Sequence, residues 1–208
     1  MTAMGVLDAR QPGDEALGID MDDFDYLRGS RSRLRMGATL SRDEMLRLAL
    51  MASENRAASS LARHYPGGTT AFVAAMNAKA ASLGMARTRY EDPTGLSPRN
   101  VSTANDLARL VRAASDYPLI REYSTTPEHL VEVQSTGQTL GFNNSNARVK
   151  SGTWDIQLQK TGYIREAGRC VVMLATIASR PMVIVLLDSI GKVARMGDAQ
   201  RVKHWLET

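Results

Sequence analysis

The spacing of apolar residues predicts helices over about the first 125 positions of the chain. Apolar side chains recur at helical spacing in the first nine positions with no capping residue before them, which predicts a helix already in progress. These side chains are Met1, Met4, Val6 and Leu7. Ser41 followed by Glu44 has the form of a capping box and predicts a helix through Leu50. Three more helices are predicted: over 55–64, from a cap at Thr69 to Gly84, and from a cap at Ser102 or Thr103.

After about residue 128 the pattern changes to short runs rich in Val, Ile and Leu, which are typical of strands. Five strands are predicted, two short ones and three longer ones: 130–133, 139–142, 156–164, 170–177 and 182–187. The connections between the last three are short enough to require antiparallel neighbours. A final amphipathic helix is predicted over 193–206.

This order of elements predicts a single α+β domain with a mainly helical region over about 41–125 and a sheet region over about 128–208. The sheet would be antiparallel with flanking helices. Three central strands are few for a sheet whose members look buried on both faces. We therefore expect N-terminal strands that precede Met1 in the native fold and are missing from this chain.

Composition narrows the possible functions. The chain has 208 residues, 43% hydrophobic and 23% charged, and a net charge of +4. The arginines of segment 28–35 have no aromatic residues among them, so a solvated surface is favoured over nucleic-acid binding. The single Cys170 excludes an internal disulfide and lies in an apolar run, which predicts a buried thiol. No run reaches the ~18 apolar residues of a membrane span, and the start lacks the features of a signal peptide.

No metal site or cofactor is predicted. The three histidines show none of the spacings typical of zinc ligands: they are His64, His129 and His204. The acidic cluster formed by Asp20, Asp22, Asp23 and Asp25 lacks the glycine and the terminal glutamate of a calcium-binding loop. We interpret the cluster as a solvated face.

Two short motifs carry the candidate chemistry. Ser53-Glu54-Asn55 and Lys160-Thr161-Gly162 stand in the order of the last two parts of the signature Ser-x-x-Lys, Ser-x-Asn, Lys-Thr-Gly. Alone, the first is also compatible with a helix N-cap, and the second with the start of an exposed hairpin. In a strand, Lys160 and Gly162 share one face, while Thr161 points to the other unless the strand twists. A lysine and a glycine there suit an edge strand that pairs with an extended peptide while the ammonium holds a carboxylate.

The first part of the signature, which carries the nucleophile, does not precede Ser53. The chain contains one Ser-x-x-Lys, Ser189 to Lys192, but it follows Lys-Thr-Gly and has Gly191 inside it. A glycine there disfavours the helical turn that would hold serine and lysine on one face. We interpret this stretch as a turn between a strand and a helix.

Longer strings resemble one known family. YEDPTGLSPRNVSTANDL (90–107) and WDIQLQKTGYIREAGRC (154–170) are similar to low-molecular-weight penicillin-binding proteins that act as D-alanyl-D-alanine endopeptidases and carboxypeptidases, of the periplasmic endopeptidase branch. MASENRA (51–57), LLDSIGK (186–192) and RMGDA (195–199) fit the same family. The resemblance covers essentially the whole chain.

The resemblance implies a β-lactamase-like, transpeptidase-like fold and a serine acyl-enzyme mechanism without a cofactor. It assigns proton handling to Ser53 and Asn55. It assigns binding of the substrate carboxylate to Lys160 and Thr161, places Gly162 in the same substrate-binding site, and assigns one oxyanion donor to the backbone N–H of Tyr163. Peptidoglycan stem peptides and cross-links would be the substrates, β-lactams the inhibitors, and the periplasm the location.

The resemblance also implies that the chain is truncated. In this family Ser-x-x-Lys opens the helix whose continuation reads like Met1 to Met4, so the nucleophile and its base would precede Met1, and the chain as written would be inactive. Two alternatives stay open. In the first, the chain is a non-catalytic binder of peptidoglycan peptides or a gene remnant. In the second, it is a serine β-lactamase.

Overall fold

The computed structural model describes residues 1–191 and 193–208. Within these residues the helices are α1 (Thr2–Asp8), α2 (Arg42–Met51), α3 (Asn55–Arg63), α4 (Gly68–Ser82), α5 (Ala104–Ala114), α6 (Pro118–Ser124), α7 (Ala147–Ser151) and α8 (Ala194–Glu207). Side-chain caps start two of the predicted helices. Ser41 Oγ accepts the Glu44 N–H at 3.2 Å before α2, and Thr103 Oγ1 accepts the Asp106 N–H at 3.2 Å before α5.

The strands are β1 (Ala16–Gly18), β2 (Thr39–Ser41), β3 (Glu128–Val133), β4 (Gln138–Asn143), β5 (Asp155–Ile164), β6 (Gly168–Ile177) and β7 (Arg180–Ser189). All pairs are antiparallel, in the sheets β1-β2, β3-β4 and β5-β6-β7. The turn between β6 and β7 is tight, with positive φ at Ala178 and Ser179, and this backbone twist suits a two-residue hairpin. The prediction of three long antiparallel strands is confirmed.

The β5-β6-β7 sheet is covered on both faces. The side of β6 that carries Val172 and Leu174 packs on the main core, which α1, α2 and α3 supply with Met4, Leu46, Leu61 and other buried side chains. The opposite side packs Met173, Ala175 and Ile177 against α8. Because residues alternate between the two faces of a strand, burial on both faces accounts for the continuous apolar runs of the sequence.

Two predicted helix starts need correction. The capping box is only half formed, because the Glu44 carboxylate lies 2.7 Å from His129 Nε2, on strand β3, instead of reaching back to Ser41. Thr69 is not a cap. Gly67, with φ of 87°, is the N-cap of α4, and Thr69 lies within the helix. A glycine adopts this left-handed conformation without strain, so the chain enters the helix before Thr69.

Three predictions about the surface are also wrong in part. Asp23 is buried and pairs with Arg63 at 2.8 Å, so the acidic segment is not simply a solvated face. Cys170 is only partly buried, because it lies near the start of β6 with its Sγ 3.4 Å from the Ala167 carbonyl oxygen. Arg28 is half-buried and paired, while the other three arginines of segment 28–35 are exposed as predicted.

Candidate active site

One cleft contains every site residue predicted from the sequence. It has a volume of about 700 Å³ and lies where the α2–α3 connection faces β5, with the 94–96 loop also lining it. The predicted residues that line it are Ser53, Asn55, Lys160, Thr161, Gly162 and Tyr163. Ser53 and Lys160 are 107 positions apart in the chain, so tertiary folding alone brings the two motifs together. Ser189, which begins the Ser-x-x-Lys, ends β7 and is not among the residues that line the cleft. Lys192 lies outside the described residues.

Lys160 is the central cation of the cleft. Its Nζ donates hydrogen bonds to Ser53 Oγ and, at 2.9 Å, to the Thr161 carbonyl oxygen. Burial, helped by the positive charge of Arg195, lowers the pKa of Lys160 from 10.5 to about 8. The ammonium therefore predominates at neutral pH, where it can bind a carboxylate, and its proton is easier to release than that of an exposed lysine.

Ser53 occupies the connection between α2 and α3 in a left-handed conformation, with φ of 56°. A non-glycine residue seldom adopts this conformation and pays about 1–3 kcal/mol for it, so such positions cluster at functional sites. The N-cap of α3 is neither Ser53 nor Asn55. Glu54 takes that place, and its carboxylate accepts the Arg56 N–H at 3.3 Å. Burial raises the pKa of Glu54.

Asn55 is oriented by a loop that the sequence did not single out. Its Nδ2 donates to Ser30 Oγ at 3.0 Å. Ser30 is held in turn by the Asp25 carboxylate, which accepts the backbone N–H groups of Leu27, Arg28 and Ser30 at 2.9–3.0 Å. The bond to Ser30 fixes the donor end of the Asn55 amide and leaves its carbonyl oxygen for other partners.

Ser145 is a further cleft residue that sequence reasoning missed. Its Oγ accepts the Thr161 hydroxyl at 2.7 Å and the Ser53 hydroxyl at 3.4 Å, which joins the two motifs through one hydroxyl group. Its backbone N–H donates to the Met51 carbonyl at 2.7 Å, at the end of α2. Thr161 thus reaches the cleft although it alternates with Lys160 along β5. No signal in the polar run 143–146 distinguishes Ser145 from an ordinary loop residue.

A buried polar network holds β5 beside this segment. Gln159 Nε2 donates to the Ser124 carbonyl at 2.7 Å and to Asn144 Oδ1 at 2.9 Å. Asn144 Nδ2 also donates to the Ser124 carbonyl, at 2.9 Å. Buried hydrogen bonds of this kind restrict alternative packing. They fix the positions of Lys160 and Ser145, the chain neighbours of these two amides.

Gly162 leaves open space beside Lys160. A Cβ atom added there would meet only Cys170 Cβ, at 4.0 Å, an ordinary contact. The glycine is therefore not needed for packing within the protein, and it leaves room for a ligand backbone. Its carbonyl accepts the Arg195 guanidinium at 3.0 Å, and the Cys170 carbonyl accepts the same nitrogen at 2.9 Å. The neighbouring Tyr163 is 58% exposed.

Most of the ionisable side chains that line the cleft are basic. The lining includes the basic side chains Arg28, Lys160, Arg165 and Arg195, against the single acidic group Glu54. In residues 1–191 and 193–208, no cluster of three or more His, Cys, Asp or Glu is placed to hold a metal ion. No helix within the same residues has the length and apolarity to cross a membrane. The arrangement suits a ligand with a carboxylate, supplies hydroxyl and ammonium groups for proton transfer, and supplies an amide for hydrogen bonding.

Known proteins with this fold define the class of the chain. A Streptomyces DD-transpeptidase variant superimposes with a TM-score of 0.89 at 25% identity, over 98% of this chain and 84% of that one. A D-alanyl-D-alanine carboxypeptidase from Mycobacterium tuberculosis superimposes with a TM-score of 0.80 at 26% identity, over 97% and 78%. The chain therefore has the fold of the serine transpeptidases and carboxypeptidases, as the sequence predicted.

The sequence comparisons identify the family. The sequence profile of the D-alanyl-D-alanine carboxypeptidase peptidases matches residues 1–191. The D-alanyl-D-alanine endopeptidase of Pseudomonas aeruginosa is 54% identical over 208 residues, and that of Escherichia coli is 51% identical. In both cases the match covers 100% of this chain and 67% of the relative. The chain belongs to the D-alanyl-D-alanine carboxypeptidase family, whose members are serine peptidases.

Proposed function

We propose that the cleft binds the D-alanyl-D-alanine end, or a D-amino-acid cross-link, of peptidoglycan stem peptides, and that it serves a serine-type endopeptidase or carboxypeptidase of the periplasm. The observation that carries the proposal is Lys160. Its partly buried ammonium, on the edge strand β5, contacts Ser53, and the positive charge of Arg195 helps to lower its pKa. The family to which the chain belongs supports the substrate class and the periplasmic location.

Substrate binding uses the edge of β5. Within the described residues β5 pairs only with β6, so its other edge has no strand partner along the cleft. An extended peptide adds to such an edge by main-chain hydrogen bonds. Its carboxylate then meets the Lys160 ammonium and the Thr161 hydroxyl, while Gly162 allows close backbone approach. The N–H of Tyr163 serves as an oxyanion donor in the acyl-transfer step.

Ser53 and Asn55 handle protons and orientation. In the acyl-transfer step, the nucleophilic serine of the family's Ser-x-x-Lys motif attacks the substrate amide and forms the acyl bond as the C–N bond breaks. The leaving amine then takes a proton from the Ser53 hydroxyl, and Ser53 takes one from the Lys160 ammonium. The pKa of Lys160 near 8 makes this transfer possible close to neutral pH. The Asn55 carbonyl orients the substrate amide, since Ser30 already holds the amide nitrogen of Asn55.

The isolated chain has a second candidate function, as a non-catalytic binder of the same peptides. Its only Ser-x-x-Lys follows Lys-Thr-Gly, and Ser189 is not among the residues that line the cleft. The residues assigned to substrate binding are nevertheless complete. β-Lactams, which mimic the D-alanyl-D-alanine end, would occupy the same cleft.

Calorimetric titration of the chain with N-acylated tripeptides tests the proposal. We expect a peptide ending in D-Ala-D-Ala to bind and its L-Ala-L-Ala isomer to bind at least about tenfold more weakly. The reason is that the edge of β5 sets the direction of the bound peptide while Lys160 holds its carboxylate. Lys160→Ala should abolish the preference. Lys150→Ala, at an exposed lysine outside the cleft that pairs with Glu128, is the matched control. Equal affinities for the two isomers, or an unchanged affinity in Lys160→Ala, would refute the proposal.

A further inference from the structure

Asp25 lies outside the cleft lining, and none of the proposed steps uses it. Its carboxylate nevertheless organises the segment 25–30, which reaches the cleft through Arg28 and Ser30. Oδ1 accepts the N–H groups of Leu27 at 3.0 Å and Arg28 at 2.9 Å, and Oδ2 accepts the N–H of Ser30 at 2.9 Å. An aspartate that closes several backbone hydrogen bonds in this way fixes a turn.

The Ser30 hydroxyl has one proton, and it goes to Asp25. Partial burial would raise the pKa of Asp25, but hydrogen bonds from the Ser30 hydroxyl and from three backbone N–H groups of the segment outweigh it and hold that pKa below its usual value. Asp25 is therefore ionised at neutral pH. Because a carboxylate can only accept, Ser30 is the donor in its bond to Asp25. Ser30 Oγ is then left to accept the hydrogen bond from Asn55 Nδ2, 3.0 Å away.

This hydrogen-bond chain decides which end of the Asn55 amide faces the cleft. The two ends of an amide have nearly the same shape, so only hydrogen bonds distinguish them. Because the proton of Ser30 is already bound to Asp25, the Asn55 nitrogen must face Ser30, and the Asn55 carbonyl oxygen is left for a ligand. With a neutral amide in place of Asp25, the Ser30 hydroxyl becomes free to donate to Asn55 instead, and the Asn55 amide becomes free to turn over.

Contacts that do not involve the Asp25 carboxylate hold this segment against α3. The guanidinium of Arg56, in the first turn of α3, lies over the Phe24 ring, 3.6 Å from its centroid, and donates to the Leu34 carbonyl at 2.7 Å. The Gly29 N–H donates to the backbone carbonyl of Asp25 at 3.1 Å. We therefore expect the segment to stay docked when only the charge of Asp25 is removed.

The amide that breaks in the proposed reaction presents its N–H to the Asn55 carbonyl oxygen. The C=O and N–H of a trans peptide bond point in opposite directions. A peptide whose attacked carbonyl accepts the Tyr163 N–H, on β5, therefore turns the N–H of the same bond to the opposite wall of the cleft. Ser53 and Asn55 lie on that wall.

We propose that Asp25 is a positioning residue, which acts through Ser30 to hold the Asn55 amide with its carbonyl oxygen toward the scissile N–H of the bound peptide. The chain Asp25–Ser30–Asn55 makes the cleft selective for a peptide bond over an ester, because an ester has an oxygen atom where the N–H would be and leaves the Asn55 carbonyl without a donor. This inference rests on the proposed function.

Titration calorimetry with two N-acylated tripeptides tests the proposal. One ends in D-Ala-D-Ala and the other in D-Ala-D-lactate, which keeps the shape and the carboxylate but has an ester oxygen in place of the scissile N–H. The wild type should bind the first about tenfold more tightly. Asp25→Asn should reduce this preference to about twofold or less and leave the affinity for the ester unchanged, because only the contact with the N–H is lost. A general loosening of the cleft would instead weaken the binding of both peptides.

Two further variants complete the test. Ser30→Ala removes the acceptor of the Asn55 nitrogen by itself and should reduce the preference in the same way. Asp20→Asn is the matched control, because Asp20 also accepts a backbone N–H in a turn, that of Asp22 at 2.8 Å, but lies outside the cleft lining. It should keep the full preference. Circular dichroism spectra that match the wild type show that each variant is folded.

The outcomes separate the two proposals. Equal binding of the two peptides by the wild type, or a preference that survives in Asp25→Asn or Ser30→Ala, would overturn the positioning role and leave the binding of the D-alanyl-D-alanine end at Lys160 intact. Failure of both peptides to bind the wild type would contradict the proposed function and the positioning role together.

Discussion

Lys160 should make the stability of the protein depend on pH in a window that burial defines. Its pKa is about 8 in the folded chain, against 10.5 for a lysine that folding does not perturb. Between these two values the unfolded chain keeps a proton on Lys160 that the folded chain has released. The free energy of unfolding therefore rises with pH across the window. Below about pH 8 Lys160 is protonated in both the folded and the unfolded chain. The free energy of unfolding is then lowered by the full cost of desolvating the ammonium.

The size of this change in the free energy of unfolding follows from the shift in the pKa of Lys160. At about 1.36 kcal/mol per pKa unit, the fall from 10.5 to about 8 corresponds to about 3 kcal/mol. Lys160→Met removes the charge and keeps an unbranched apolar stem. Between pH 8 and 10.5 we expect the free energy of unfolding of the wild type to rise by about 3 kcal/mol relative to that of Lys160→Met.

Urea unfolding followed by circular dichroism at pH 7, 8, 9, 10 and 10.5 measures this difference, since other titrating groups cancel between the two proteins. Lys150→Met, at an exposed lysine, is the control and should differ from the wild type by a constant amount. A constant difference between the wild type and Lys160→Met across the range would refute the reasoning, because it would show that Lys160 is not desolvated by folding.

Other predictions follow from the cleft and the sheet. Peptide affinity should fall by up to about tenfold per pH unit above about pH 8, because the carboxylate binds the protonated Lys160; a flat calorimetric profile would contradict this. Gly162→Ala should leave the urea midpoint nearly unchanged, since the added Cβ meets only Cys170 at 4.0 Å, and should weaken peptide binding at least about tenfold by blocking backbone approach; an unchanged affinity would show that no backbone lies there. A labelled penicillin should give no covalent adduct with the isolated chain; an adduct mapped to Ser53 by peptide mass spectrometry would make Ser53 a nucleophile. β7 pairs only with β6 among the described residues, so its free edge should promote self-association; a monodisperse monomer in light scattering would count against this.

Much of the fold could be predicted because it depends on local signals. Ser41 and Thr103 cap helices through bonds to residues only three positions away, and this spacing is visible in the sequence. The long strands were found from their apolar runs. Helix α6 and the short β1-β2 pair were not predicted. Both are short, and packing against neighbouring elements stabilises them more than intrinsic propensity does.

The site could be predicted only where a motif identifies it. Ser53 and Lys160 were found because the family signature names them, although their contact forms across the whole fold. Ser30 and Ser145 had no such signal, since their roles come from tertiary hydrogen bonds, of Ser30 with Asn55 and of Ser145 with Thr161 and Ser53. The first motif does supply the N-cap of α3, but through Glu54 instead of Ser53 or Asn55, because Ser53 takes a left-handed conformation.

The central claim is that Lys160 recognises the C-terminal carboxylate of a D-alanyl-D-alanine peptide. Calorimetric titration of wild type and Lys160→Met with the free peptide and with its C-terminal amide tests it most directly. We predict that the wild type prefers the carboxylate at least about tenfold and that Lys160→Met binds both forms equally, because the preference resides in one charge pair. A preference for the carboxylate that persists undiminished in Lys160→Met would contradict the claim.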